Sequence, residues 1–145
     1  MVATSPPRQV PARLRRAQVA LGCFLAWTGF VWIGRIRNAL TDVELVGSEK
    51  IAPIVLAASF LVPAALLAVA WVRSLRSRRS LERWAGVLLV VLAVWTTGLW
   101  VVRAVDIAAF GEWSIGFVVV HTVLAVVSIG LATWAVLAQR SSASA

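Results

Sequence analysis

The chain has 145 residues, of which 61% are hydrophobic and only 14% are charged. Soluble domains are about 45–50% apolar and about 25% charged, so this composition excludes an ordinary soluble domain and indicates a membrane protein. The net charge of +8 does not indicate a nucleic-acid-binding protein, because the arginines stand in short clusters between apolar runs and leave no soluble surface for a groove-reading patch. The expected surroundings are therefore the lipid bilayer, with no nucleic acid as a partner.

Four continuous apolar runs follow one another along the chain, each of 18 to 23 residues: 17–34, 51–72, 84–102 and 115–137. A helix needs about 20 apolar residues to cross the hydrocarbon core, and a continuous run does not fit the alternating pattern of a barrel strand. The predicted fold class is therefore an all-α membrane protein with four transmembrane helices within residues 15–140. The tails, residues 1–14 and 141–145, are rich in proline or serine and are predicted to be disordered.

The basic residues predict the direction of the spans. Ten of them fall on the side that holds both termini and the connection between the second and third spans, and four fall on the other side. The positive-inside rule then predicts a multi-pass protein of the cell membrane with both termini in the cytoplasm. The excess of arginine over lysine, with much alanine and valine, is typical of a GC-rich bacterial genome.

Two strings of the sequence resemble each other at a distance of 68 residues: AWTGFVWIGRIRN at 26–38 and VWTTGLWVVRAVD at 94–106. They favour a duplicated helical hairpin, 15–72 and 83–140, whose halves share one orientation and are related by a pseudo-twofold axis along the membrane normal. The alternative is a coincidence between two tryptophan-rich spans that end in charge. The matched pairs are Trp27 and Trp95, Thr28 and Thr96, Trp32 and Trp100, Arg35 and Arg103, Asn38 and Asp106, and Glu44 and Glu112.

The aromatic and hydroxyl members of these pairs form a candidate stripe. At about 100° per residue, they and the polar residues that follow cover roughly 140° of each helix. An indole near mid-span carries an N–H that needs a partner, so we expect the stripe to face protein rather than lipid. Its members are Trp27, Thr28, Trp32, Trp95, Thr96 and Trp100.

A candidate polar cluster lies where the stripe reaches the outer surface: Arg35, Asn38, Arg103, Asp106, Glu112 and His121. An ionisable residue inside a span usually faces the bundle interior or a wet cavity, although His121 would also fit as a neutral side chain bonded to a neighbouring helix. Arg103 and Asp106 stand at i,i+3 and can form an ion pair on one helix face. The pair would be either a structural latch or part of an outer pocket with His121 at its floor. Arg37 is expected only to snorkel to the headgroups.

No motif indicates a catalytic set, a metal site or a cofactor. One histidine, one cysteine and scattered carboxylates do not make a ligand set for zinc, and Cys23 is expected to be a small core side chain.

Three functions from different classes remain. The favoured one is a non-catalytic subunit, accessory or lipid- or partner-binding module, acting with a membrane-protein partner or as a homo-oligomer. The second is a small transporter or channel, which suits a parallel repeat and the mid-span Pro63 but lacks an acidic residue in the central part of any span. The third is an outer-face enzyme, with His121 as the general base, Asp106 or Glu112 orienting it, and Arg35 and Arg103 holding an anionic substrate. No nucleophile motif supports it.

Overall fold

The computed structural model describes residues 11–43, 47–110 and 113–143. Within these ranges the chain forms four α-helices and a single short 3₁₀ turn at Gly47–Lys50, and no strand. The helices are α1 (Ala12–Thr41), α2 (Ile51–Ser77), α3 (Arg83–Phe110) and α4 (Ile115–Ala143). Each is long and apolar enough to span a membrane, which confirms the predicted all-α fold class with four candidate transmembrane helices.

The helices are longer than the apolar runs from which they are predicted. Helix α1 begins at Ala12 and α4 ends at Ala143, so helix also covers residues 12–14 and 141–143, which the sequence assigns to the tails. The extension is reasonable because an α-helix satisfies its own backbone hydrogen bonds whether its side chains are apolar or charged. Pro11 directly precedes α1. The remaining tail residues, 1–10 and 144–145, lie outside the described residues, as do Glu44 and Glu112.

Helix α1 packs closely against α2 and α4, and α3 packs closely against α4 but less extensively against α2. The start of α1 lies beside the ends of two other helices. Gln139 Nε2 of α4 is 3.4 Å from the carbonyl oxygen of Ala17, and Gln18 Nε2 is 3.3 Å from that of Ser74 in α2. We call this end of the bundle the termini end and the opposite end, where α1 joins α2, the cavity end.

Buried positions recur along the chain at the same 68-residue distance as the sequence matches. On α1 and α3 the recurring buried residues are Ala17, Leu21, Phe24, Thr28 and Trp32, and Ala85, Leu89, Leu92, Thr96 and Trp100. On α2 and α4 they are Phe60, Ala64, Leu67 and Ala70, and Ser128, Ala132, Ala135 and Ala138. Many are alanines, because small side chains let helix backbones approach each other in a membrane.

The expectation that Cys23 belongs to the core was wrong, since its side chain is exposed. The buried face of α1 includes Leu21 and Phe24. Cys23 is turned about 100° away from Phe24 and about 200° away from Leu21, so it lies outside that face.

A polar network joins α1 to α2 near the termini end. The indole N–H of Trp71 donates to the carbonyl oxygen of Gln18 at 2.9 Å, and the Ser74 hydroxyl donates to the carbonyl oxygen of Arg79 at 2.6 Å. Gly22 makes room for the indole, because a Cβ atom at this position would lie 2.7 Å from Trp71 Cζ2. The network satisfies polar groups that lipid could not.

Candidate functional site

A cavity of about 480 Å³ opens at the cavity end and is lined by residues of all four helices. Its polar lining residues are Arg35, Asn38, Arg103 and His121. Its other lining residues are Phe30, Val31, Trp32, Gly34, Leu56, Leu99, Trp100, Val120 and Leu124. Four of the six residues of the predicted polar cluster therefore line one space, together with two tryptophans of the predicted stripe.

The stripe residues differ in their burial. Thr28, Trp32, Thr96 and Trp100 are buried. The two threonine hydroxyls donate to the carbonyl oxygens one turn earlier, those of Phe24 and Leu92, each at 2.8 Å. Trp27 is partly buried, whereas Trp95 is 47% exposed and so departs from the inward orientation expected for the whole stripe.

The indoles of Trp27 and Trp95 each donate a hydrogen bond to a serine. Trp27 Nε1 of α1 is 2.9 Å from Ser128 Oγ of α4, and Trp95 Nε1 of α3 is 3.1 Å from Ser59 Oγ of α2. Ser128 is buried, but Ser59 is exposed. The two bonds thus join α1 to α4 within the protein and α2 to α3 at its surface.

Three aromatic rings form a row that begins at the cavity lining and crosses from α1 through α2 to α3. Trp32 stacks on Phe60 with a centroid distance of 4.1 Å, and Phe60 lies 5.9 Å from the ring of Trp95. Phe60 is fully buried. Sequence reasoning missed it because a phenylalanine in an apolar run carries no signal that separates a core position from a lipid-facing one.

The predicted i,i+3 ion pair between Arg103 and Asp106 is present. The Arg103 guanidinium also lies over two aromatic rings, 5.3 Å from the centroid of Trp113, just before α4, and 5.4 Å from that of Phe117 in α4. Both distances fall within the range of a cation–π contact. Neither ring belongs to the candidate stripe or to the candidate polar cluster that the sequence predicts.

His121 belongs to a column of three rings at the start of α4. The ring centroids of Phe117 and His121 are 3.9 Å apart, because side chains four residues apart share one helix face. The ring of Trp113, just before the helix, stacks on Phe117 with a centroid distance of 4.4 Å. His121 Nδ1 lies 2.9 Å from the carbonyl oxygen of Phe117. This contact is within α4 rather than with a neighbouring helix, the partner that the sequence suggested for a neutral histidine.

His121 does not form the floor of the cavity, the position that the sequence suggested for it. Trp32, Trp100 and Leu124 lie about one helical turn farther than His121 from the cavity end, so His121 stands in the wall and not at the floor. Asp106 lies beside the cavity through its pair with Arg103, and Glu112 lies outside the described residues.

Arg35 and Arg103 match in the sequence but not in their surroundings. The residue three positions after Arg35 is Asn38, which cannot neutralise a guanidinium, and Arg35 forms no ion pair with any described residue. Both Arg35 and Asn38 are exposed and line the cavity. Among the described lining residues, Arg35 therefore carries the positive charge that stays available to a ligand.

No protein-family model matches the chain, and no curated protein or solved structure shows significant similarity to it.

Proposed function

We propose that the protein is a non-catalytic membrane protein that binds an amphipathic, anionic ligand in its cavity. The observation that carries the proposal is the division of the cavity lining, with Arg35, Asn38 and Arg103 nearer the cavity end and Trp32 and Trp100 deeper in the bundle. A ligand with a charged head and an apolar body would fit both parts. The volume of about 480 Å³ also falls within the range of small-molecule sites, about 300–1,000 Å³.

The charges at the mouth support an anionic ligand head. Arg103 is engaged by Asp106 and two aromatic rings, so it helps to shape the mouth. Arg35 retains its charge, and Asn38 stands one turn farther along the same helix with an amide that can donate. Hydrogen bonds from a guanidinium to an anion are about twice as strong as those between neutral groups.

The apolar walls support an alkyl or ring portion in the ligand. Val31 and Leu99, which are 68 residues apart, line the cavity, and so do Leu56 and Leu124 at the same distance. This equivalence, with the recurring buried positions, supports the proposal that the chain is a tandem pair of helical hairpins and that the cavity lies where the pair meets. The orientation that places both termini in the cytoplasm would make the cavity face outward.

Binding is preferred to catalysis because the groups that an enzyme mechanism would need have other partners. His121 Nδ1 contacts the carbonyl oxygen of Phe117, and Asp106 pairs with Arg103 instead of orienting His121. Binding is preferred to transport because the lining residues of the cavity lie toward one end of the bundle and no apolar run has an acidic residue in its central part.

The test compares two single-chain lipids that differ in headgroup charge. Lysophosphatidylglycerol and lysophosphatidylcholine are titrated into the purified protein in a neutral detergent, and tryptophan fluorescence reports binding. We expect the anionic lipid to bind more tightly. The Arg35→Ala variant should bind it about tenfold more weakly, because it loses a charge-assisted contact.

The matched control is Arg37→Ala, which removes an exposed arginine of the same helix that does not line the cavity. Its affinity for lysophosphatidylglycerol should stay near that of the unsubstituted protein. Equal binding of the two lipids, or equal losses in the two arginine variants, would contradict the proposed function.

A further inference from the structure

Two helix–helix seams of the bundle differ in how tightly they close. The α1–α4 seam and the α2–α3 seam would be equivalent in a tandem pair of hairpins, and each contains one tryptophan–serine hydrogen bond. The α1–α4 seam is extensively packed, with Ser128 buried. The α2–α3 seam is packed less extensively, with Ser59 exposed and Trp95 47% exposed.

Helix α2 contains a residue that favours its separation from α3 near Ser59 and Trp95. Pro63 has no N–H to donate to the carbonyl oxygen of Ser59, one turn earlier. The position of α4 that stands 68 residues after Pro63 is Leu131, which has a backbone N–H. A mid-helix proline also bends its helix, so α2 can diverge from α3 where α4 stays against α1.

The open seam is continuous with the cavity. Leu56 of α2 and Leu99 of α3 line the cavity, and Ser59 and Trp95 follow about one turn deeper on the same two helices. Apolar side chains are exposed along both helices at this level, including Val55, Val62 and Val94. The side chains that follow Leu56 and Leu99 along this seam toward the surface that lipid would cover are therefore mostly apolar.

From these contacts we infer that the cavity ligand is a two-chain phospholipid with a monoanionic phosphodiester headgroup. The headgroup lies at Arg35, and the acyl chains leave the cavity sideways through the α2–α3 seam, past Leu99 and the ring of Trp95. The inference rests on the proposed function and adds the ligand class and its route.

The size of the cavity supports a ligand that lies partly outside it. About 480 Å³ is the space of a drug-sized molecule, and a long-chain phospholipid is larger. Its chains must therefore leave the protein, and the less tightly packed seam with exposed apolar flanks is the route of lower cost.

The experiment uses a matched pair of substitutions, Leu99→Trp in the α2–α3 seam and Val31→Trp at the equivalent position of α1. Each adds bulk to the cavity wall, but only Leu99→Trp should block the route. The probes are dioleoyl- and dihexanoyl-phosphatidylglycerol, the second having chains short enough to stay inside the cavity. Leu99→Trp should weaken binding of the long-chain lipid about tenfold more than binding of the short-chain lipid, and Val31→Trp should weaken both to a similar degree.

A photolabel gives a second measurement on the unsubstituted protein, which decides the matter if Leu99→Trp fails to fold. Phosphatidylglycerol with a diazirine on its acyl chain is cross-linked in nanodiscs, with excess unlabelled lipid as competitor. The labelling that unlabelled lipid suppresses should concentrate on α2 and α3 near Val55 and Trp95. Labelling near Trp27 in the α1–α4 seam that unlabelled lipid suppresses would overturn the proposed route. The route would also be overturned if Leu99→Trp and Val31→Trp weakened binding of the long-chain lipid, relative to the short-chain lipid, by the same factor. If Arg35→Ala weakens the binding of neither lipid, the proposed function itself is overturned.

Discussion

At the scale of single residues, matched positions in the sequence have acquired different surroundings. Arg103 has a carboxylate three residues later and the rings of Trp113 and Phe117 under its guanidinium. Arg35 has Asn38 three residues later and forms no ion pair with a described residue. An arginine held by an ion pair and by aromatic faces has a structural role. An arginine without such partners at the mouth of a cavity is available to a ligand.

Gly22 provides a test of packing at the same scale. A Cβ atom at Gly22 would lie 2.7 Å from Trp71 Cζ2, whereas nothing lies within 4 Å of one at Gly29 on the same helix. Gly22→Ala should therefore lower the free energy of unfolding by about 1–3 kcal/mol, because the indole must move from its hydrogen bond with Gln18. Gly29→Ala should be neutral or stabilising by up to about 1 kcal/mol, because alanine favours the helix.

The measurement is reversible unfolding in mixed micelles, followed by tryptophan fluorescence, for the two variants and the unsubstituted protein. A Gly22→Ala protein as stable as Gly29→Ala would show that the indole of Trp71 does not pack against α1 as described.

At the scale of the elements, the two tryptophan–serine bonds have unequal surroundings. The bond from Trp27 to Ser128 lies in a closely packed seam, and the bond from Trp95 to Ser59 lies in an open one. Hydrogen bonds between helices in a membrane contribute about 0.6 kcal/mol on average, with a maximum of about 1.7 kcal/mol. Their contribution depends on whether the donor finds another acceptor after the first is removed.

Ser128→Ala should therefore destabilise the protein more than Ser59→Ala. Loss of the Ser128 hydroxyl leaves the indole N–H of Trp27 in a packed seam without its acceptor, at a cost of about 1–2 kcal/mol. After Ser59→Ala, the carbonyl oxygen of residue 59 receives no hydrogen bond from Pro63 and can accept one from Trp95. Urea or detergent denaturation of the two variants in parallel measures the difference, and a larger loss in Ser59→Ala would reverse the assignment of the tighter seam.

At the scale of the whole molecule, the bundle has two unlike ends. Hydrogen bonds of Gln18, Trp71 and Gln139 join α1 to α2 and α4 near the termini end, and the cavity opens at the other. This asymmetry matches the charge distribution, because ten of the fourteen basic residues belong to the side with the termini. The positive-inside rule predicts that this side lies in the cytoplasm, which would put the cavity mouth on the opposite face.

Cysteine labelling in intact cells tests the orientation. Cys23 is first replaced by alanine, and single cysteines are then introduced by Ser48→Cys at the cavity end and Ser80→Cys between α2 and α3. A membrane-impermeant maleimide should label the first variant in intact cells and the second only after permeabilisation. Labelling in the reverse order would place the cavity mouth in the cytoplasm and contradict the predicted topology.

The amino-acid sequence alone dictates the number and the type of the helices. Lipid offers the backbone no hydrogen-bonding partner, so four long apolar runs must become helices. It also determined the pair of Arg103 and Asp106, because i,i+3 contacts depend only on helix geometry. The recurrence of buried positions at 68 residues agrees with the matched strings, although the strings alone do not say how tightly each seam packs.

Which apolar residues face protein depends instead on how the four helices pack. In a membrane the lipid and the protein interior are similarly apolar, so hydropathy does not separate a buried Phe60 from an exposed Trp95 or Cys23. Contacts between helices placed Trp113 and Phe117 under Arg103, and His121 in the wall of the cavity. These relations depend on how far each helix is rotated and tilted against its neighbours, which is set by packing over the whole bundle and not by local spacing.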